Sequence, residues 1–404
     1  MTMARDHRRP HRAVIPRSAL VPLIVFVVAG AGAVTSLAAA TGHHVHPLWH
    51  WQLPHGFPTP RVPGNNPMSS AKVALGRRLF YDPRLSGDGT ESCSSCHQQR
   101  LAFTDGRAHA VGSTGQQTPR SALSLDNVAY NATLAWANPA LVTLEEQMET
   151  PLFGEHPIEM GVTDANESRI LARLRADAWY RIHFREAFPA ARDPISFTAI
   201  VRSIASFERT IVSADSRYDR YLRHQATLTP SQRRGMNLFM SERTGCTHCH
   251  GSFIFNDQDS YVGAPDEPLS FHNTGLYNVG GTGAYPAPSR GLFDITGLPA
   301  DMGRFRAPTL RNVALTAPYM HDGSIKTLRD VIDFYAAGGR DITTAANAGD
   351  GRVNPYKDAE IAPIDLSARD RSDLVAFLKT LTDYNLINNP HLSNPFHRQP
   401  HARR

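Results

Sequence analysis

The chain has 404 residues, of which 41% are apolar and 20% charged, and it contains only four cysteines. This composition suits one large or two ordinary globular domains and excludes a wholly disordered chain or a disulfide-dense scaffold. The formal net charge of +5 is largely a property of residues 1–40, where five arginines accompany one aspartate. The remainder is nearly neutral, so we expect no nucleic-acid partner.

The segment 1–40 predicts export. A basic stretch precedes an uncharged run from Ala19 to Ala40, which ends in three alanines. This order is typical of a secretory signal peptide. The run is also long enough to cross a bilayer, so an uncleaved anchor over 19–40 is the alternative. Both interpretations predict a periplasmic protein. It would contact the membrane only if the leader is not cleaved.

Residues 41–67 are rich in proline and histidine and predict an extended connector. Four histidines in this segment could bind a metal, but a polar linker is favoured by its composition. They are His43, His44, His46 and His50.

An internal repeat follows the connector. Gly76–Phe80 (GRRLF) precedes the string CSSCH at 93–97, and Gly235–Phe239 (GMNLF) precedes CTHCH at 246–250. Each copy predicts a short helix followed by a CxxCH motif, and hence two related modules. We expect one domain over 68–225, a second over 226–390, and a tail over 391–404.

The remaining pattern predicts helices and loops. Residues 197–212 place apolar side chains at helical spacing after Ser196, and residues 367–382 do so after Ser367. Thr229 and Pro230 have the residue types of a helix start. Residues 253–310 are rich in Gly, Pro and Asn and predict loop. The predicted fold is therefore all-α, with two cytochrome c-like haem domains and long irregular loops.

The two CxxCH motifs predict two covalently bound haem c groups. In each motif two thiols form thioethers with the haem, and the histidine binds the iron from the proximal side. The predicted attachment residues are Cys93, Cys96 and His97 for the first haem, and Cys246, Cys249 and His250 for the second. Zinc ligation, a dithiol redox pair and coincidence are the weaker alternatives. His248, inside the second motif, is expected at the surface.

Two haems alone do not predict an enzyme, because an electron carrier saturates both irons and a peroxide-activating enzyme leaves one open. The residues on the distal sides of the two haems would distinguish these alternatives. The chain resembles the bacterial di-haem cytochrome c peroxidase family, with its MauG and MbnH relatives, over about residues 54–385. The resemblance depends on these strings: LGRRLFYDPRLSGDGTESCSSCH, AFTDG, LEEQMETPLFGEHPIEMG, SFERT, FHNTGLYN, RFRAPTLRNVALTAPYMHDGS and TLRDVIDFYAAGG.

The resemblance implies that the first haem is the peroxide site, with Glu159 as its acid–base and Gln147 as an orienting amide. The segment between them is about two residues longer than in the family, which leaves Glu155 and His156 as rivals. Trp136 matches the family tryptophan between the haems. On pattern alone, it is equally a core aromatic.

The resemblance also implies that Tyr335 is the axial ligand of the second haem, at a position where peroxidases in the strict sense have methionine. Tyr335 continues the apolar stripe of Leu328, Val331 and Ile332, so a core tyrosine is the alternative from the pattern. Met320 is the rival ligand.

Two further features follow from the resemblance. The loop 112–118 lacks the histidine that caps the first haem in peroxidases requiring reductive activation, and His109 is the nearest candidate. A calcium ion is expected at the carbonyls of Thr316 and Pro318, with Ser121 in place of the family asparagine. Arg306 and Arg311 are candidates for contact with haem propionates.

The function expected from the resemblance is that of an exported di-haem oxidoreductase. It would use hydrogen peroxide to form a high-valent di-haem state and oxidise a partner protein, at a tryptophan by analogy with the MbnH-like group. One alternative is a cytochrome c peroxidase that takes electrons from a small cytochrome or copper protein. The other is a non-catalytic di-haem electron carrier.

Overall fold

The computed structural model describes residues 49–396. Expectations for the leader at 1–40, for His43, His44 and His46, and for the end of the tail lie outside these residues. The helices of the described part are α1 Ser70–Phe80, α2 Cys93–Cys96, α3 Leu144–Phe153, α4 Asp164–Ala176, α5 Ala178–Ala187, α6 Phe197–Glu208, α7 Arg217–Leu222, α8 Pro230–Phe239, α9 Cys246–His250, α10 Phe293–Thr296, α11 Leu328–Ala336, α12 Ala368–Leu378 and α13 Tyr384–Ile387.

Strand structure is minimal between residues 49 and 396. Two-residue strands β1 (Asp341–Ile342) and β2 (Gly349–Asp350) pair antiparallel, with Asp341 opposite Asp350. Short 3₁₀ turns occupy Pro83–Leu85, Gln99–Leu101, Val128–Tyr130, Pro299–Asp301, Val313–Leu315, Gly351–Val353 and Lys379–Leu381. The described chain is thus mostly helical with long loops, as the sequence predicts.

The helix starts follow the predicted caps. The side chains of Ser196, Thr229 and Ser367 accept hydrogen bonds from backbone N–H groups in the first turns of α6, α8 and α12. Helix α6 ends at Glu208, four residues before the predicted end. Ile211, which lies within the predicted helix, is nevertheless fully buried. Hydrophobic contact therefore continues beyond the last helical residue.

The repeated helices each cross a later helix at a glycine. A Cβ on Gly76 of α1 would lie 1.8 Å from the Ser203 carbonyl oxygen of α6. A Cβ on Gly235 of α8 would lie 1.8 Å from the Asp373 carbonyl oxygen of α12. Both crossings need the close backbone approach that only glycine allows. This pairing explains why the repeated strings begin with glycine.

Two large apolar clusters correspond to the two copies of the repeat. The first is built from α1, α3, α4, α5 and α6, with fully buried Phe80, Phe103 and Phe207. The second is built from α8, α11 and α12 around Phe377. A third, smaller cluster contains the aromatic residues Tyr277, Tyr285 and Phe305.

Both ends of the described chain are tied to the body of the protein. Residues 49–67 contain no helix or strand, but Asn66 is fully buried and donates to Glu145 Oε1 over 2.6 Å. At the other end, Leu386 and Leu392 join the first apolar cluster. The hydroxyl of Tyr81 donates to the Leu392 carbonyl over 2.7 Å. Among residues 49–396, no helix is both long and apolar enough to cross a membrane.

Candidate active site

The two CxxCH motifs have the same local geometry. In both, a short helix carries the cysteines, and the histidine Nδ1 faces a backbone carbonyl five or six residues further on. His97 Nδ1 lies 2.8 Å from the Phe103 oxygen, and His250 Nδ1 lies 2.9 Å from the Phe255 oxygen. Because a carbonyl can only accept, Nδ1 carries the proton in each ring. The Nε2 lone pair is therefore available to bind iron, and burial lowers the pKa of both imidazoles.

The two acceptor carbonyls belong to residues with unusual backbone angles. Phe103 and Phe255 both have φ of 57°, in the left-handed region that non-glycine residues rarely adopt. Each such residue costs on the order of 1 kcal/mol, which the surrounding core must offset. In both copies of the repeat, the strained residue supplies the carbonyl that accepts from the histidine Nδ1. This indicates that the strained backbone fixes the histidine orientation. Nothing in the sequence indicates this feature.

Both motifs open into one cavity of about 760 Å³. The predicted site residues that line it are His97, His250, the four cysteines, Gln147, Glu159, Trp136, Tyr335, Ser121, Thr316 and Pro318. Residues more than 200 positions apart in the chain therefore share a single chamber. The structure brings together the residues predicted for catalysis, haem attachment and calcium binding, whereas the candidates Arg311 and His109 do not line the cavity.

Near the first motif, the structure distinguishes Glu159 from its rivals Glu155 and His156. Glu159 lines the cavity, burial raises its pKa, and its charge contributes to the raised pKa of the Cys96 thiol. Glu155 is exposed and does not line the cavity. His156 is exposed at the cavity wall. Of these three residues, Glu159 is the one that is both in the cavity lining and not exposed, so it remains the candidate acid–base.

Gln147 is held by the helix that carries it. Helix α3 begins at the cap Thr143, and its first turn is anchored to α6 by an ion pair. The Arg209 guanidinium donates to both carboxylate oxygens of Glu145, over 2.8 and 2.6 Å. Arg209 is almost fully buried, so this bidentate pair fixes α3 firmly against α6.

The loop 112–118 packs against the segment that carries Glu159. Ser113 N donates to the Glu159 carbonyl over 2.7 Å, and Ile158 N donates to Gln116 Oε1 over 2.9 Å. A Cβ on Gly112 would lie 2.0 Å from the Ile158 oxygen. His109 does not line the cavity, and its Nδ1 lies 2.9 Å from the Thr118 oxygen. This loop therefore supports the Glu159 segment.

One residue of the cavity lining, Glu208, is not identified as a site residue from the sequence, although it lies within the SFERT string. Glu208 lines the cavity, is only 6% exposed, and makes no side-chain hydrogen bond to another described residue. Burial raises its pKa to about 8, against the opposing effect of Arg209. After burial, Glu208 is the main cause of the raised pKa of Cys93, which places the two side chains near each other.

Near the second motif, Tyr335 projects from α11 into the cavity. Burial raises the pKa of its phenol, and interactions with Cys249 and Cys246 contribute in the same direction. Tyr335 lines the same cavity as both of these haem-attachment cysteines. Met320 also lines the cavity. His272 also lines the cavity. Its ring bridges two carboxylates, with Nε2 2.6 Å from an Asp257 oxygen and Nδ1 2.7 Å from an Asp358 oxygen.

Trp136 is held rigidly in the cavity wall. Its indole N–H donates to the Ser121 carbonyl over 2.8 Å, and its ring lies edge-on to Phe305 and His321, with centroids 6.5 Å away in both cases. Ser121 is also fixed, since its N–H donates to the His321 oxygen over 2.7 Å and its hydroxyl donates to the Met320 oxygen over 3.2 Å.

Comparison with known proteins identifies the family. A family profile described as di-haem cytochrome c peroxidase matches residues 70–227. Methylamine utilization protein MauG of Methylorubrum extorquens is 32% identical over 379 residues, which cover 92% of this chain and 96% of that protein. Cytochrome-c peroxidase IdrP1 of a Pseudomonas species is 35% identical, over 89% of this chain and 92% of its own length.

The chain belongs to the di-haem cytochrome c peroxidase and MauG family. A solved structure is especially similar: a MauG-like protein associated with microbial copper homeostasis, at 57% identity and a TM-score of 0.85, covering 86% of this chain and 100% of that one. Members of this family are di-haem peroxidase-type oxidoreductases, so this chain is an enzyme of that type.

Family membership implies haem c, and a buried arginine fits that cofactor. Arg306 is 3% exposed and lines the cavity, and its Nε has no hydrogen-bond partner among residues 49–396. A buried cation without an anionic partner is costly, and a haem propionate would supply one. Arg311 does not fit the same expectation, because its guanidinium is paired with Asp219 at 2.9 Å. Its predicted propionate contact is not supported.

Proposed function

We propose that this di-haem peroxidase uses hydrogen peroxide to oxidise a tryptophan of an exported partner protein. The proposal is supported by Tyr335, which lines the cavity together with the cysteines of the second motif and stands where the family resemblance implies methionine in strict peroxidases. A phenolate is an anionic ligand that favours oxidised iron, whereas methionine raises the potential and suits electron entry from a carrier. The similarity to a MauG-like protein associated with copper homeostasis favours the same function.

The residues of the first site suit acid–base work on peroxide. When bound, the haems supply peroxide activation and store the oxidising equivalents. Glu159 accepts a proton from the incoming peroxide and returns it to the departing oxygen, and its raised pKa suits both directions. Gln147 orients the peroxide from the anchored helix α3. Trp136 lines the cavity into which both motifs open, and it would share oxidising equivalents between the two haems.

His97, His250 and Tyr335 would hold the two irons, and the four cysteines would form the thioethers. A calcium ion at the carbonyls of Thr316 and Pro318 completes the proposal. Its test is the metal content of the purified protein, in which one calcium per chain is expected and none would contradict it. The protein is proposed to act in the periplasm, with residues 1–40 as export signal or anchor.

A competition assay tests the partner function. The holoprotein is mixed with hydrogen peroxide, reduced cytochrome c and an exported, tryptophan-containing protein encoded by a neighbouring gene. We expect peptide mass spectrometry to find oxygen added to a tryptophan of the partner, with little oxidation of cytochrome c. Trp136→Phe should slow this modification, whereas Trp179→Phe, a substitution outside the cavity lining, should not.

The relatives named cytochrome c peroxidase support a second candidate function, peroxide reduction with electrons from a small cytochrome or copper protein. Steady oxidation of cytochrome c in the same assay, with the partner tryptophan intact, would establish that function and contradict the first.

A further inference from the structure

A file of buried aromatic rings leads away from Trp136. The ring centroids of Trp136 and Phe305 are 6.5 Å apart, those of Phe305 and Tyr285 are 6.2 Å apart, and those of Tyr285 and Tyr277 are 5.4 Å apart. These are ordinary contact distances for edge-to-face or tilted aromatic pairs. Phe305, Tyr285 and Tyr277 are each no more than 8% exposed. The file is therefore continuous and shielded from water.

The two tyrosines in this file have different hydrogen-bond acceptors. Tyr285 donates to the amide oxygen of Asn273 over 2.8 Å, and an amide is a poor base. Tyr277 donates to the Asp322 carboxylate over 2.6 Å. Asp322 also accepts from the backbone N–H of Ser324, which stabilises its charged form. Only the tyrosine at the end of the file therefore has a strong proton acceptor.

This difference matters because an oxidised phenol is a strong acid. A neutral tyrosine, with an ordinary pKa near 10, can lose an electron readily only if its proton moves to a base at the same time. The guanidinium carbon of Arg340 lies 4.6 Å from the centroid of the Tyr277 ring. Such a cation disfavours positive charge on the ring and therefore favours proton loss to Asp322 when the phenol is oxidised.

We propose that Tyr277 is a redox relay that donates one electron to oxidised Trp136 through Tyr285 and Phe305. In this step the tryptophan radical cation regains its electron, Tyr277 becomes a neutral radical, and the phenolic proton moves to Asp322. The proposal rests on the proposed function, in which peroxide is the oxidant and Trp136 shares the oxidising equivalents. Beyond Tyr277, Arg340 lines a surface concavity of about 380 Å³, so the relay carries oxidising equivalents toward the protein surface.

Freeze-quench electron paramagnetic resonance of the holoprotein after addition of hydrogen peroxide tests the relay. We expect a tyrosyl radical signal in the wild type and its loss in Tyr277→Phe. Asp322→Asn keeps a hydrogen-bond acceptor but removes the base, so it should reduce the signal at least tenfold. The peroxide-oxidised state should decay several-fold more slowly in both variants.

Tyr180 provides a matched control. Its hydroxyl also donates to a buried carboxylate, that of Asp82, over 2.6 Å, but Tyr180 does not contact the aromatic file. Tyr180→Phe should keep the full radical signal. At Tyr285, substitution by Phe keeps the ring and should keep the signal, whereas substitution by Leu should abolish it. A tyrosyl signal that persists in Tyr277→Phe, or that is lost equally in Tyr180→Phe, would overturn the relay.

The relay and the proposed function fail in different ways. If peroxide generates no oxidised state at all in the wild type, both are overturned. If the oxidised state forms and the partner tryptophan is modified, but no signal depends on Tyr277, only the relay is wrong. Peptide mass spectrometry after repeated peroxide additions gives an independent readout, since oxidative modification is expected at Tyr277 and not at Tyr180.

Discussion

At the scale of single residues, two cavity carboxyls near the first motif differ in their surroundings. The carbonyl of Glu159 accepts a hydrogen bond from Ser113 N of the loop 112–118, while Glu208 is nearly inaccessible and has no described hydrogen-bond partner. Burial raises the pKa of both. The family resemblance favours Glu159 as the acid–base, and the raised pKa of Glu208 has a separate consequence for stability.

Replacing Glu159 by Gln should lower the rate of reaction with hydrogen peroxide at least about a hundredfold, because an amide cannot transfer the proton. Stopped-flow absorption of the holoprotein measures this rate. Glu155→Gln is the matched control, since Glu155 is exposed and outside the cavity lining. Equal losses in the two variants would contradict the assignment of Glu159.

The raised pKa of Glu208 predicts a pH-dependent stability. Its folded-state pKa of about 8 lies above the ordinary value of 4.5, so the protonated carboxyl is favoured by folding. The stability it contributes is fully present below about pH 4.5 and is lost as the pH rises toward 8. Relative to wild type, Glu208→Gln should therefore gain stability between pH 5 and 8 in urea unfolding. A difference independent of pH would contradict a raised pKa.

At the scale of elements, each module depends on one helix crossing. The α1–α6 and α8–α12 pairs bring backbones together at Gly76 and Gly235, just before the segments that carry the CxxCH motifs. The positions of the cysteines therefore depend on contacts that form far away in sequence. The position of α3 likewise depends on a distant contact. The Glu145–Arg209 ion pair holds this helix, which carries Gln147, against α6.

Gly76→Ala should destabilise the protein by at least about 2 kcal/mol, because the new methyl group overlaps the Ser203 carbonyl and the helices must separate. Gly64→Ala is the control, as no atom lies within 4 Å of its added Cβ. Chemical unfolding of both variants measures the difference. A free energy of unfolding unchanged by Gly76→Ala would contradict the crossing.

The sequence predicted local features of this protein well. The caps at Ser196, Thr229 and Ser367 and the repeated short helices depend on neighbouring residues, and the structure agrees with each. Features that depend on distant contacts were predicted poorly from the sequence. Arg311 pairs with Asp219, 92 residues away, and not with the cavity. The left-handed Phe103 and Phe255 are ordinary residue types whose backbone angles are imposed by the fold.

At the scale of the whole molecule, one cavity joins the two motifs, and the end of the described chain returns to the first apolar cluster. Leu392 is 5% exposed and packs in that cluster, although it follows the helices of the second copy of the repeat. Arg77 of α1 donates to the Ser393 carbonyl over 2.8 Å. This segment links the two halves of the sequence independently of the cavity.

Leu392→Ala should lower the free energy of unfolding by about 2–5 kcal/mol, as for other large-to-small substitutions in a core. Leu298→Ala, at a position 58% exposed, should change it by less than about 0.5 kcal/mol. Thermal or urea unfolding of the two holoprotein variants makes the comparison. Equal stability of the two variants would show that the terminal segment is not part of the core.

Tyr335 is the most decisive residue, because the axial ligand of the second haem distinguishes partner oxidation from electron uptake. Spectroelectrochemical titration of the second haem in wild type, Tyr335→Phe and Tyr319→Phe tests it directly. Tyr319 lines the same cavity, but its hydroxyl is bonded to the Val313 carbonyl. We predict that Tyr335→Phe raises the reduction potential and changes the absorption of the second haem, while Tyr319→Phe does neither. A spectrum and potential unchanged by Tyr335→Phe would contradict the assignment and favour the cytochrome c peroxidase function.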